Sequence, residues 1–189
     1  MILRILKENI HTILNRILVT DLQRYDYLQT TLAITDVSTD LTFQRTFNGY
    51  YRMRSRPADW YTNFYELLES RKRDTDIQFQ EVLRTIHRVT GRVEPSFSSK
   101  LVATICPESP VYDKYVRENL GIEIPRQTDT TPVRLRGFIQ AYEQLCRRIL
   151  ELVTETRFAG IREHFDREFP SYTHFSEVKK LDLLLWKLR

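Results

Sequence analysis

The chain has 189 residues, enough for one domain with a substantial hydrophobic core and no need of disulfides or structural metal. Hydrophobic residues make up 41% and charged residues 29%, and only 5 glycines speak against a glycine-rich nucleotide loop and against many tight hairpins. The formal net charge of +4 suits a polyanionic partner without demanding one.

The opening stretch MILRILKENIHTILNRILVTDL has apolar residues near helical spacing. It predicts a first helix over residues 3–28. Charges interrupt the stretch, so it is neither a signal peptide nor a membrane span. A helix packed on the rest of the domain is expected, and a basic amphipathic helix on a membrane surface is the alternative. Residues 30–47 mix Thr, Val, Ile and Phe and are read as a loop or a short extended piece, with Gly49 as a break. Pro57 opens a helix over 58–71, with Trp60, Phe64, Leu67 and Leu68 on one face.

A charged turn over 71–76 leads into a helix over 77–90, which Gly91 stops. The next helix is expected over 100–106, capped by Ser96 or Ser98. Pro107 and Pro110 bracket a turn, Asp113 caps a helix over 114–120, and Gly121 ends it. Residues 125–132 read as a surface loop, 133–158 as one long helix, 161–168 and 175–188 as two more. The sum is an all-α protein: a single compact multi-helix domain over 1–189, with seven or eight helices and little or no sheet.

The segment 95–122, PSFSSKLVATICPESPVYDKYVRENLGI, carries the chemistry. Lys100 lies beside the apolar pattern Phe97, Leu101, Ile105. Burial and nearby helix dipoles would favour its free amine, the nucleophilic form. A plain reading is equally available, in which the lysine stem covers core and its amine is solvated. Asp113 is expected at a helix N-terminus, as a cap and as a carboxylate facing the lysine across the turn, where it could stabilise an oxocarbenium ion or assist proton transfer.

The lysine stretch Phe97-Ser98-Ser99-Lys100-Leu101-Val102-Ala103 and the aspartate stretch Pro110-Val111-Tyr112-Asp113-Lys114-Tyr115-Val116 resemble the helix-hairpin-helix DNA glycosylases of the endonuclease III and 8-oxoguanine glycosylase superfamily. The resemblance implies a related fold, Lys100 as the Schiff-base lysine, and Asp113 as the catalytic aspartate. It also implies DNA as partner, with Ser98 and Ser99 toward phosphate. The chain departs from the family in three ways. Phe97-Ser98-Ser99 replaces the two-glycine hairpin, the lysine–aspartate interval is shorter, and Tyr115 stands where a histidine is usual. The same segment, with the closing Lys180-Leu181-Asp182-Leu183-Leu184-Leu185-Trp186, is similar to a group of small bacterial helical proteins of unassigned activity. No four-cysteine pattern supports an iron–sulfur cluster, and no cofactor is expected.

A second candidate is a basic surface. Arg45, Arg52, Arg54, Arg56, Arg71, Lys72, Arg73, Arg84, Arg88 and Arg92 crowd the first half. The run YYRMRSR interleaves Arg52, Arg54 and Arg56 with aromatic and soft residues, as a backbone-binding segment would. Nearby acids allow the alternative of a solvated, self-neutralised face. Tyr112 and Tyr115, with Phe97 and Trp60, are candidate platforms for a displaced base, or else core.

His11, His87, His164 and His174 are scattered and no HExxH or GxSxG occurs, so no metal site and no hydrolase of that kind is expected. Cys106 and Cys146 have no CxxC or histidine spacing and read as free thiols in a reducing, cytoplasmic setting. The function expected is DNA binding, with lysine-dependent base excision on it. A catalytically inactive nucleic-acid-binding module of the same scaffold, or a helical protein-interaction domain, is the alternative. The oligomeric state stays open.

Overall fold

A computed structural model describes residues 1–53 and 55–188; Arg54 and Arg189 lie outside the described residues. Those residues form eleven α-helices and no strand. In chain order they are α1 (Ile2–Glu8), α2 (Ile10–Leu14), α3 (Val19–Leu32), α4 (Leu41–Tyr50), α5 (Ala58–Arg71), α6 (Phe79–Thr90), α7 (Pro95–Ile105), α8 (Lys114–Asn119), α9 (Thr131–Thr154), α10 (Thr156–Glu168) and α11 (Glu177–Lys187). A 3₁₀ turn at Pro170–Tyr172 precedes α11. The chain is thus all-α, as its helical periodicities predict. It makes two compact units: a middle unit, Val19–Cys106, and a terminal unit of Met1–Leu18 with the chain from Pro107 onward.

In the middle unit α3 packs on α4, and α6 packs on α5 and α7. The segment expected as loop or extended chain is largely helical. Asp40 supplies the missing start signal, since its Oδ1 accepts from the backbone N–H groups of Thr42 and Phe43 at 2.8 and 2.9 Å. Phe43, Phe47 and Tyr50 then fall on one buried stripe. Their rings join those of Tyr51, Phe64 and Tyr65 in an aromatic cluster, with Phe47 at its centre. Gly49 does not break α4; it sits inside the last turn. Gly91 does end α6, in the left-handed region at φ 68°. The next helix begins earlier than expected, because Pro95 takes the first helical position and Glu94 is the N-cap.

In the terminal unit α11 is the central helix. It packs against α2, α8, α9 and α10, and eight of the eleven residues of α11 from Val178 to Leu185 are buried in succession. Ser176 opens it, accepting from the Lys179 N–H at 3.0 Å while donating to the Pro107 carbonyl at 2.7 Å. Its last carbonyls are satisfied from other helices: Asn119 Nδ2 donates to Leu185 and Leu188, and Arg16 Nη1 to Lys187.

The first helix of the sequence reading is three helices. At Asn9 the side-chain amide donates back to the Ile5 carbonyl at 2.9 Å, competing with the helical ladder, and tight turns at Arg16 and Ile17 separate α2 from α3. Leu3, Leu6, Ile10, Ile13 and Leu14 are buried, so α1 and α2 pack internally, and no helix among the described residues is long and apolar enough to cross a membrane. The long helix also ends early. Thr154 turns its hydroxyl back to the Leu150 and Glu151 carbonyls, Glu155 adopts ψ 132°, and Phe158 belongs to α10.

Candidate functional site

Lys100 lies on α7 in the middle unit. The residues of α7 from Phe97 to Thr104 are all buried, so this helix has little solvent face over two turns. Lys100 is 8% exposed, and its Nζ sits 5.1 Å from the centre of the Phe97 ring. The same ring has the Arg56 guanidinium at 4.9 Å and the edge of Trp60 at 4.8 Å. Arg56, Trp60, Phe97 and Lys100 therefore form one cluster inside the middle unit. Trp60 is 3% exposed and stacks on Phe64 at 5.2 Å; it and Phe97 are core rather than open stacking platforms.

Ser98 and Ser99 are fully buried. Ser98 Oγ donates to the Glu94 carbonyl at 2.8 Å and Ser99 Oγ to the Ser96 carbonyl at 3.0 Å. Both hydroxyls are thus turned back onto their own helix, and in this arrangement neither presents a donor to a phosphate. The expected capping role of Ser98 is replaced by the same back-bond.

Asp113, Tyr112 and Tyr115 lie in the terminal unit, so the expected Lys100–Asp113 pairing falls on both units. Asp113 is the N-cap of α8, its Oδ1 accepting from the Tyr115 N–H at 2.8 Å, as expected of that residue. Tyr112 is buried edge-on to Phe138 at 6.1 Å, and burial pushes its phenol up to about 12. Tyr115 is half-buried, with the Lys114 amine 5.8 Å from its ring.

Of the arginines in the YYRMRSR run, Arg54 lies outside the described residues, and Arg52 and Arg56 differ in their surroundings. Arg52 is exposed, at φ 48°. Arg56 is committed to Glu94, with its Nη2 at 2.8 Å and its Nε at 3.0 Å from Oε1. Arg71 is held by Asp74 and Glu81, and Lys72 by Glu69 and the Thr35 carbonyl.

The sequence reading missed the charged residues inside α11. Lys179 Nζ is 3.3 Å from Asp182 Oδ2, with both side chains under a tenth exposed. Burial pushes the Asp182 carboxyl above its ordinary range; the Lys179 ammonium opposes that and the nearby Asp113 carboxylate adds to it. Lys180, 2% exposed, bridges Asp166 Oδ1 at 2.6 Å and the Thr173 carbonyl at 2.7 Å. Tyr142 is buried close by and donates to the Pro110 carbonyl at 3.0 Å, which fixes the Pro110–Asp113 segment onto α9. The visible signal was KKLD set into an otherwise apolar helix.

Among the described residues no group of three or more His, Cys, Asp or Glu side chains gathers as a metal site, and neither Cys106 nor Cys146 is in a disulfide. No protein-family model matches the chain, and neither a curated protein nor a solved structure is significantly similar to it.

Proposed function

We propose that the protein binds DNA and that Lys100 carries lysine-dependent chemistry on it, in the manner of a glycosylase with lyase activity. The observation that carries this reading is the burial of Lys100 in a helix that is otherwise core, with its amine 5.1 Å from the centre of the Phe97 ring. A lysine amine withdrawn from water beside an apolar surface is the setting in which lysine serves as a nucleophile. With the target base turned out of the stack, the amine nitrogen bonds to C1′ as the glycosidic C–N bond breaks, and the base leaves with the electron pair and takes up a proton. Loss of a proton from nitrogen and opening of the sugar ring give an imine, from which the 3′ phosphate departs by elimination. Asp113 is assigned the stabilisation of charge on the sugar, by resemblance. The two cysteines, neither in a disulfide, fit a reducing, cytoplasmic setting.

A second reading, the same scaffold binding DNA without excising a base, is favoured by the cover over α7, whose residues from Phe97 to Thr104 are all buried and leave Lys100 only 8% exposed. Borohydride trapping on oligonucleotides with abasic, oxidised and uracil sites separates the two. A covalent adduct that is lost in Lys100→Ala and kept in Lys7→Ala, which alters an exposed lysine on α1, with both variants folded by circular dichroism, supports the chemistry. An adduct retained in Lys100→Ala rejects that lysine, and no adduct with salt-sensitive binding leaves the binding module.

A further inference from the structure

Helix α6 sorts its residues sharply by chemistry. Phe79, Val82, Leu83 and Ile86 face the core of the middle unit. Arg84 and Arg88 stand on the opposite side, one turn apart, and Arg92 follows just past the left-handed Gly91. All three are exposed, and among the described residues none has a side-chain hydrogen bond or ion-pair partner. This is not the rule for the unit, since Arg56, Arg71 and Lys72 are each neutralised by a carboxylate. The acid nearest in sequence on that face, Glu81, is taken by Arg71 at 2.9 Å. The positive charge of the α6 face is therefore left uncancelled.

We infer that the outer face of α6, with the turn that follows it, is a contact surface for the phosphodiester backbone of duplex DNA, and that Arg84, Arg88 and Arg92 each neutralise a phosphate. The inference rests on the DNA reading above and adds the surface that reading lacks, because Ser98, Ser99 and Arg56 are used internally. Charge complementarity selects the partner. Guanidinium groups bind phosphate oxygens in a two-pronged geometry, and a line of like charges without acids between them matches a polyanion. A protein interface would centre on a desolvated aromatic or aliphatic anchor. The line from Gln80 through Arg84 to Arg88 offers none, and the exposed Val89 beside it is a single small aliphatic side chain. A membrane-surface helix would need its apolar face outward, and here that face is core.

The test is fluorescence anisotropy of a labelled duplex with the full chain, titrated at several salt concentrations between about 50 and 200 mM. Arg84→Gln/Arg88→Gln/Arg92→Gln is expected to weaken binding at the low-salt end by tenfold or more. It should also make the plot of log affinity against log salt shallower by about 0.9 per arginine. Lys7→Gln/Arg147→Gln removes two exposed cations on α1 and α9 and is expected to keep the wild-type slope. Circular dichroism melts establish that each variant is folded. If the triple variant keeps wild-type affinity and slope, the α6 surface is rejected and DNA binding itself survives. If the wild type binds no duplex at any salt, both the surface and the DNA reading fall.

Discussion

Lys179 and Asp182 are ion-paired one turn apart on α11, with Nζ 3.3 Å from Oδ2 and both side chains almost wholly withdrawn from water. Such a pair owes its stability to completeness, because each charge left alone in the interior is far costlier than the pair. Lys179→Met is expected to destabilise the fold by about 3–5 kcal/mol, while Lys179→Met/Asp182→Leu recovers most of that loss. Urea unfolding of the wild type and both variants measures it. A double variant no more stable than the single would mean that α11 needs the charges for another reason.

Asp182 also sets a pH dependence. Burial raises its carboxyl above the unfolded value, so the folded protein binds this proton more readily than the unfolded chain. The stability it contributes is fully present below the unfolded pKa of about 3.9 and is lost as pH rises through the raised folded value. Asp182→Asn removes the titration. The stability of the wild type relative to this variant should therefore fall as pH rises above about 4, read from unfolding curves at each pH. A rise instead would show that attraction to Lys179 outweighs burial.

Gly137 sits within α9, where alanine would ordinarily gain about 1 kcal/mol by helix propensity. Here an added Cβ would lie 2.9 Å from Pro125 Cβ and 3.1 Å from its Cγ, against a ring that cannot swing aside. Gly137→Ala is expected to be destabilising by about 1–3 kcal/mol, the usual cost of overpacking. A thermal melt decides the sign, and an increase in midpoint would mean that the 125–130 loop yields freely.

Arg56 tests the difference between a structural and a binding arginine. Its side chain is 16% exposed and that of Glu94 13%, so Arg56→Gln strands a half-desolvated carboxylate. A loss of about 1–3 kcal/mol in stability is expected, with no change in the salt dependence of DNA binding. A shallower salt slope in Arg56→Gln would return this residue to the interface.

Much of the local structure was legible. The helix from Ala58 to Arg71, the stop at Gly91 and the cap at Asp113 follow from signals within a few residues of each other, and the structure has all three. Breaks at Asn9 and Thr154 were missed because apolar periodicity continues through them. At both breaks a side chain bonds back to a carbonyl, and periodicity carries no trace of that. The helix α4 was missed because Thr, Val and Ile pulled the reading toward extended chain, although Asp40 followed by Phe43, Phe47 and Tyr50 was in plain view.

The candidate site was less legible. Lys100 was placed beside the apolar face of its helix, and it is buried. Ser98, Ser99, Trp60 and Tyr112 looked available to a ligand, and all four are buried. A helix with a conventional amphipathic face would have left the serines outside, but α7 is covered over two consecutive turns, which depends on neighbours brought in from elsewhere in the chain.

By itself, then, the sequence determined the all-helical class, the cap at Asp113 and the stop at Gly91, because backbone hydrogen bonding and left-handed glycine turns are settled over four or five residues. Only the tertiary structure decided which charges are spent. Arg56 meets Glu94 across 38 positions, Lys180 meets Asp166 from another helix, and Arg84, Arg88 and Arg92 meet no acid among the described residues. Composition lists the same charges in every case. Electrostatic attraction falls with distance through space and not along the chain, so folding alone separates the arginines that hold the protein together from those left exposed to solvent.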